Sequence, residues 1–414
     1  MNFGNSSNCV HWLYAVVIGT CTSTDFVAVL IGAPLGSSVS SFARPIPLVA
    51  GGIRPCAPGA NGVWSRRTEG VAVRLRRWDP TGPAILRRRR GRGFGYVGVD
   101  GEPLADDETL ARIRALVIPP AWKDVRICPW PNGHLQAVGT DDAGRRQYLY
   151  HESWRVRRDR EKFARIREFG EALPKARVRI ADDLATRGLN RRRVLATAAR
   201  LLDIGFFRIG SEAYAQENGS HGLATVLRSH VSIARGGNVV FEYPAKSGQE
   251  RVQAVADEDV VAVVRALMRR REPDQTLLAY YEGGAWHDVR SPEINDYLHE
   301  ICGDGNSAKD FRTWHGTVLA AVALATASDD PAALSRTARR RAEARAIKEV
   351  AEYLGNTPAV CRSAYVDPAV IQAFEQGVTI RPLLERLGTD DVLVGEEDRE
   401  RVERAVLDLL DEVG

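Results

Sequence analysis

Past residue 60 the spacing of apolar and polar positions along this chain changes twice, and each change predicts a different kind of structure. Up to about Tyr150, short runs of strand-forming residues alternate with turn signals. These are Gly95-Tyr96-Val97-Gly98-Val99 ahead of Asp100-Gly101, then Arg126-Ile127-Cys128, then Leu135-Gln136-Ala137-Val138-Gly139. One helix interrupts them over residues 107–116, stopped by Pro119-Pro120. From Trp154 the period becomes helical, with charged helices predicted to Glu171, over 175–187 and over 190–204. Two strand-like runs then intrude at residues 238–243 and 250–255. They are joined by Pro244-Ala245-Lys246-Ser247-Gly248-Gln249, a hairpin connection carrying a single lysine. Helices return to about residue 376, and among them the Ala/Arg/Glu-rich residues 332–354 suit a solvated strut.

The pattern predicts an α+β chain with no internal repeat: a small strand-rich N-terminal domain over residues 61–157, followed by a mainly helical domain over 158–378. The helical domain carries a β-hairpin or three-stranded insert that bears the lysine, and an acidic C-terminal tail occupies 379–414. Residues 1–60 stand apart. They are apolar and rich in Ser, Gly and Pro, with no Lys or Arg before Arg44, and their apolar run is broken at Thr22-Ser23-Thr24-Asp25. A secretory signal wants positive charge ahead of its apolar core, and a membrane span does not tolerate a polar break at its middle. The stretch reads as a disordered extension, or as residues upstream of the true start.

At 414 residues the chain is long enough to bury its cores without a disulfide or metal staple. The net charge of +4 averages a strongly basic front half with the acidic tail, so a polyanion meets mostly arginine. Cys9, Cys21, Cys56, Cys128, Cys302 and Cys361 form no C-x-x-C pair or zinc spacing, which predicts reduced thiols in a cytoplasmic protein. Cys361 lacks a neighbouring base and reads as a packing residue.

Four islands carry possible chemistry. In Phe206-Phe207-Arg208-Ile209-Gly210 the aromatic pair and the glycine suggest a buried turn, where an arginine needs an anion. Lys246, at a hairpin tip, has the geometry to lower a proton donor against a leaving oxygen. Lys309-Asp310-Phe311-Arg312-Thr313-Trp314-His315 supplies a second arginine, placed by the pattern just ahead of a helix over 318–327, where free backbone N–H groups favour a phosphate. The last is Leu354-Gly355-Asn356-Thr357-Pro358, followed by Tyr365-Val366-Asp367-Pro368. Each island taken singly has an ordinary structural explanation.

Their order does not. Arginine, hairpin lysine, arginine, Leu-Gly-Asn and tyrosine occur in an order and context that resembles type IB topoisomerases and tyrosine recombinases, and most of all the short bacterial and poxvirus-type topoisomerases. The resemblance runs from about Arg74 to Phe374. It includes the arginine run before Gly91-Arg92-Gly93-Phe94, the Ile118-Pro119-Pro120-Ala121-Trp122 turn and Gln147-Tyr148-Leu149-Tyr150. Recombinases show His-x-x-Arg where this chain has Lys309 three residues before Arg312. They and the poxvirus-type enzymes carry His where Asn356 stands. Asn donates a hydrogen bond but exchanges no proton at neutral pH.

The resemblance implies relaxation of supercoiled duplex DNA through a transient 3′-phosphotyrosyl nick, without ATP, cofactor or obligatory metal. Tyr365 is the implied nucleophile, Arg208 and Arg312 with Asn356 hold the phosphoryl oxygens, and Lys246 is the acid. Gln147, Tyr148, Tyr150, Tyr214 and Lys309 are the implied DNA contacts. The partner is double-stranded DNA, with no membrane, and the expected state is a cytoplasmic, nucleoid-associated monomer clamped around the duplex. The alternatives are a tyrosine recombinase and a catalytically silent DNA-binding protein on the same fold.

Overall fold

The computed structural model describes residues 16–19, 74–271, 276–328, 330–388 and 396–413. They fall into two compact units, one ending at Lys162 and one beginning at Phe163, the second also including the strand β1 (Val16–Gly19). The expectation of disorder for the remainder of residues 1–60 lies outside the described residues.

The first unit is built on β2 (Ile85–Arg90), β3 (Gly93–Val97), the helix α1 (Asp107–Ala115), β4 (Lys123–Ile127), β5 (Leu135–Thr140) and β6 (Arg146–Tyr150). The strands form one antiparallel sheet in the order β3-β2-β4-β5-β6. Helix α1 starts and stops where its residues predict: Asp106 accepts the Thr109 N–H at 2.9 Å, and Leu116 caps the far end ahead of the prolines. The arginine run is strand β2. Arg87 lies over the Phe94 ring and donates to the Trp122 carbonyl at 2.5 Å, so part of the run is committed to the fold.

The second unit is helical around a four-stranded sheet, with a separate two-stranded hairpin. Its elements are α2 (Glu152–Leu184), α3 (Arg191–Gly205), α4 (Glu212–Asn218), β7 (Val231–Ile233), β8 (Val239–Pro244), β9 (Glu250–Val255), α5 (Glu258–Met268), β10 (Ala279–Glu282) and β11 (Ala285–Asp288). They continue with α6 (Ser291–Cys302), α7 (Ala308–Ala325), α8 (Arg336–Leu354), α9 (Pro358–Ala364), α10 (Pro368–Glu375), α11 (Arg381–Arg386) and α12 (Glu396–Val413). The sheet order is β1-β9-β8-β7, all antiparallel, with the lysine-bearing hairpin formed by β8 and β9.

Five expectations change. Helix α2 runs unbroken through Pro174, where two helices were expected. An interior proline costs about 3 kcal/mol, but a continuous apolar stripe of Phe163, Ile166, Phe169, Leu173, Ile180 and Leu184 is buried on both sides of it, and burying each such side chain contributes about 1.5–3 kcal/mol. The hairpin β10–β11 interrupts a region expected to be helical, turning at Gly283-Gly284. Helix α7 begins ten residues earlier than its apolar run suggested, because Asp310 accepts the Ser307 N–H at 2.7 Å and caps it. Arg312 therefore lies inside the helix, and the capped N-terminus is not the phosphate seat expected there. Helix α8 is a core element on one face, through Ala342, Ala346, Ile347, Val350, Ala351 and Leu354. Finally, much of the expected acidic tail is α12, whose Val402, Val406, Leu407, Leu409 and Leu410 enter the main core.

Candidate active site

Three backbone corners build the site, all in the second unit. At the first, α3 ends on Phe206 in a left-handed conformation, φ 53°, which a bulky residue adopts only when its surroundings hold it there. The Phe206 ring is fully buried, and its carbonyl accepts a hydrogen bond from Arg312 Nη1. Two residues on, Arg208 leaves the core half-buried.

At the second corner, α8 ends on Gly355, φ 58°, in a Schellman-like turn: Asn356 N–H donates to the Ala351 carbonyl at 2.9 Å and Gly355 N–H to the Glu352 carbonyl at 3.1 Å. This reversal turns the Leu354 and Gly355 carbonyls toward the arginines. Arg312 Nη2 donates to Leu354 O at 2.6 Å, and Arg208 Nη2 donates to Gly355 O at 2.6 Å and to Asn356 Oδ1 at 2.7 Å. With its oxygen engaged by Arg208, the Asn356 amide turns its NH2 the other way, buried and without a partner.

At the third corner, α9 starts at Thr357-Pro358 and ends on Tyr365. Gly316 of α7 makes this possible: a Cβ there would lie 2.7 Å from the Tyr365 carbonyl oxygen. Thr317, next along α7, reaches the same carbonyl at 3.4 Å and accepts the Asp367 N–H at 3.1 Å. One helix thus carries Arg312 and fixes the backbone of the tyrosine. The Arg312 guanidinium carbon lies 5.2 Å from the Tyr365 ring centre.

The electrostatics follow from burial without counterions. Burial pushes the Tyr365 phenol up, but Arg312, then Arg208 and Lys309, pull it further the other way, leaving it below its ordinary value. Arg312 is pushed down to about 10 by burial and by Arg208, still far enough above neutrality to keep its charge. Among the described residues, neither arginine has a carboxylate partner.

The structure thus brings Arg208, Arg312, Asn356 and Tyr365 together. Lys309 is exposed one turn before Arg312 and close enough to bias the phenol. Lys246 stays apart from the group, exposed at its turn and without a hydrogen-bond or ion-pair partner among the described residues. In the first unit, Tyr148 and Tyr150 share one exposed face of β6, their rings 6.2 Å apart and stacked, while Leu149 packs on the core. Gln147 does not join them: strand alternation puts it on the Leu149 side, where it donates to Asp141 at 2.9 Å. Tyr214 is exposed on α4.

The sequence reading missed Arg251 on β9. It is 6% exposed, donates to the Tyr353 carbonyl at 2.5 Å, and has an unpartnered Nη1. An arginine just beyond a hairpin tip reads as solvent-facing, so its only signal was proximity to Lys246.

Chemically, this is a tyrosine oxygen set among cationic and amide donors that, among the described residues, lack an anion, an arrangement suited to one phosphoryl group. Residues 151–380 match the family described as the catalytic core of eukaryotic DNA topoisomerase I, and residues 93–141 match the N-terminal domain of bacterial DNA topoisomerase IB. DNA topoisomerase 1B of Acanthamoeba polyphaga mimivirus is 28% identical over 295 residues, spanning 70% of this chain and 87% of that protein. The chain belongs to the type IB DNA topoisomerase family, isomerases that act on double-stranded DNA. Among the described residues no helix is long and apolar enough to cross a membrane.

Proposed function

We propose that this protein relaxes supercoiled duplex DNA by a transient tyrosine-linked nick that uses neither ATP nor an obligatory metal. The observation that carries the reading is the convergence of Arg208, Arg312 and Asn356 on Tyr365, with no carboxylate partner for either arginine among the described residues. The Tyr365 oxygen attacks a backbone phosphorus; the Tyr365 O–P bond forms as the P–O5′ bond breaks. The products are a 3′-phosphotyrosyl linkage and a 5′-hydroxyl. Arg208 and Arg312 stabilise the charge that builds on the non-bridging oxygens, and the free Asn356 NH2 adds a neutral donor.

A phenol with pKa near 10 is mostly protonated at neutral pH, and the downward pull on Tyr365 makes its proton easier to lose. Lys246 delivers a proton to the leaving 5′-oxygen from its exposed position at the hairpin turn, and Lys309 adds positive potential. The 5′-hydroxyl later attacks the phosphotyrosine and restores the original bond, so the linkage energy is kept. Tyr148, Tyr150 and Tyr214 are proposed duplex contacts. The first unit grips the DNA that the second cuts, and one active site per duplex makes a monomer sufficient.

Plasmid relaxation in EDTA without ATP tests this. Wild type relaxes negative and positive supercoils, and Tyr365→Phe relaxes neither. A wild type that leaves both substrates supercoiled, or a Phe variant that matches it, overturns the mechanism. A 5′-sulfur leaving group needs no proton, so it restores cleavage by Lys246→Ala if Lys246 is the acid.

A further inference from the structure

We propose that Arg251 is a third arginine of this site, a positioning residue that sets the α8–α9 corner for strand cleavage. The inference rests on the site reading above. Strand β9 should bury apolar side chains, yet the residues it turns inward are Arg251, Gln253 and Val255, while Val252 and Ala254 are only partly buried. The polar inward pair has a task at each level. Gln253 joins the Tyr243 hydroxyl to the Gly205 carbonyl, just before the corner that ends on Phe206. Arg251 reaches the last turn of α8 through the Tyr353 carbonyl, one residue before the carbonyl that Arg312 holds and two before the one that Arg208 holds.

Three consecutive carbonyls, of Tyr353, Leu354 and Gly355, are thereby each held by a different arginine. The missing side chain of Gly355 leaves the room for this. A Cβ there would lie 3.0 Å from Arg251 Nη1 and 3.8 Å from Arg208 Nη1. Arg251 Nη1 is buried and unpartnered, and among the described residues no carboxylate answers the Arg251 charge. Burial, with Arg312 and Arg208 nearby, pushes its guanidinium down to about 9. At neutral pH it therefore stays charged, and its positive potential falls on the groups that meet the phosphate.

Arg251 itself is too enclosed to touch DNA. It acts through the corner: it fixes the end of α8, hence where Arg208 and the Asn356 amide point, and it ties that corner to the hairpin strand that follows Lys246. The mode of action predicts a loss in the cleavage step and not in DNA affinity.

The test is single-turnover cleavage of a nicked-product-trapping duplex by wild type, Arg251→Met, Arg251→Gln and Arg251→Lys, with duplex Kd and thermal melting measured alongside, and Tyr365→Phe as control. Expected is cleavage slowed about tenfold or more in the Met and Gln variants, a scale consistent with a weakened electrostatic clamp. Duplex Kd should stay within about twofold, and Lys should recover most of the rate by keeping the charge. Met or Gln cleaving within about twofold of wild type overturns the proposal. So does a Lys variant no better than Gln, or a rate loss that tracks a fall in melting temperature, since both mark a purely structural role. If only one neutral variant folds, the Lys comparison with that one decides. Should Tyr365→Phe itself cleave normally, the site reading fails first and separately.

Discussion

Two clusters of buried arginine lie along helix α7, one reached by His315 and the other by Arg312, and they solve the same problem in opposite ways. In one, Asp203 of α3 takes both Arg177 Nε at 3.0 Å and Arg399 Nη2 at 2.5 Å, while Glu403 of α12 pairs with Arg177 Nη1 at 2.7 Å. His315, one turn beyond Arg312, completes the cluster with Nε2 3.3 Å from Asp203. Burial works against the Asp203 carboxylate, yet Arg177 and Arg399 hold it well below the usual range, and the same acids raise Arg177. In the other cluster Arg208, Arg251 and Arg312 have carbonyl oxygens and an amide but, among the described residues, no acid. A buried charge is tolerable when paired and costly when not. The first cluster is a clasp between helices. The second keeps its charge unneutralised, and a phosphodiester is the anion that would relieve it.

If that distinction holds, the clusters fail differently. The largest effect expected is on the clasp: Arg177→Met removes a cation that Asp203 and Glu403 share, leaving the two buried acids mainly to Arg399, and should lower unfolding free energy by about 3–5 kcal/mol in urea melts. Cleavage per folded molecule, measured well below the melting temperature, should change little. A stable Arg177→Met protein would mean that the clasp is not holding α12 to the core.

Arg312→Met should do the reverse. Losing a donor to a developing oxyanion typically costs about 10²–10³-fold in rate, and that is the expected fall in single-turnover cleavage. Stability should move by only about 1–2 kcal/mol, because the two carbonyls it leaves unpaired are offset by removal of an unneutralised buried charge. A melting loss as large as that of Arg177→Met would place Arg312 in the structural class. Next is Asn356→Ala, which removes one neutral donor and should slow cleavage about tenfold. An undiminished rate would show that its free NH2 does not reach the phosphoryl group.

The same comparison explains what the sequence made legible. Alternation and helical period located the strand-rich front, the Lys246 hairpin and most helices, because those elements bury apolar faces in the ordinary way. Site order placed Arg208, Arg312, Asn356 and Tyr365, which the fold brings together. Reading failed where a polar residue was doing a core residue's job. Arg251 and Gln253 occupy the inward face of β9, so the pattern there points the wrong way. It failed again where a cap outweighed the apolar run, at Ser307 and Asp310 before α7, and where the periodicity continued through Pro174. The acidic C-terminal stretch was read only as a tail, since its charge density hid the apolar face of α12, yet its Glu403 and Arg399 are partners in the Asp203 clasp. Lys246 was legible as a turn lysine and, through site order, as a member of the site, but the fold leaves it exposed and apart from the other four residues.

Glu349 offers the smallest and most discriminating test. It lies on α8, one turn before Tyr353, whose carbonyl Arg251 holds, and its charged neighbours are Arg345 and Glu352. Burial, reinforced by Glu352 and opposed by Arg345, pushes its carboxyl up to about 7. A folded-state value above the unfolded one means that the neutral acid is favoured by the fold. Its stabilising contribution is full below about 4.5 and is lost as pH rises through about 7. Glu349→Gln removes the titration, so the variant should match wild type near pH 5 and exceed it near pH 8.5. The gain is on the order of 1 kcal/mol or less, since solvent reaches part of the group and screens it. Urea melts at the two pH values read it directly. An equal gain at both would assign the effect to packing, while a loss at the higher pH would mean that the fold favours the ionised carboxylate and that burial does not govern Glu349.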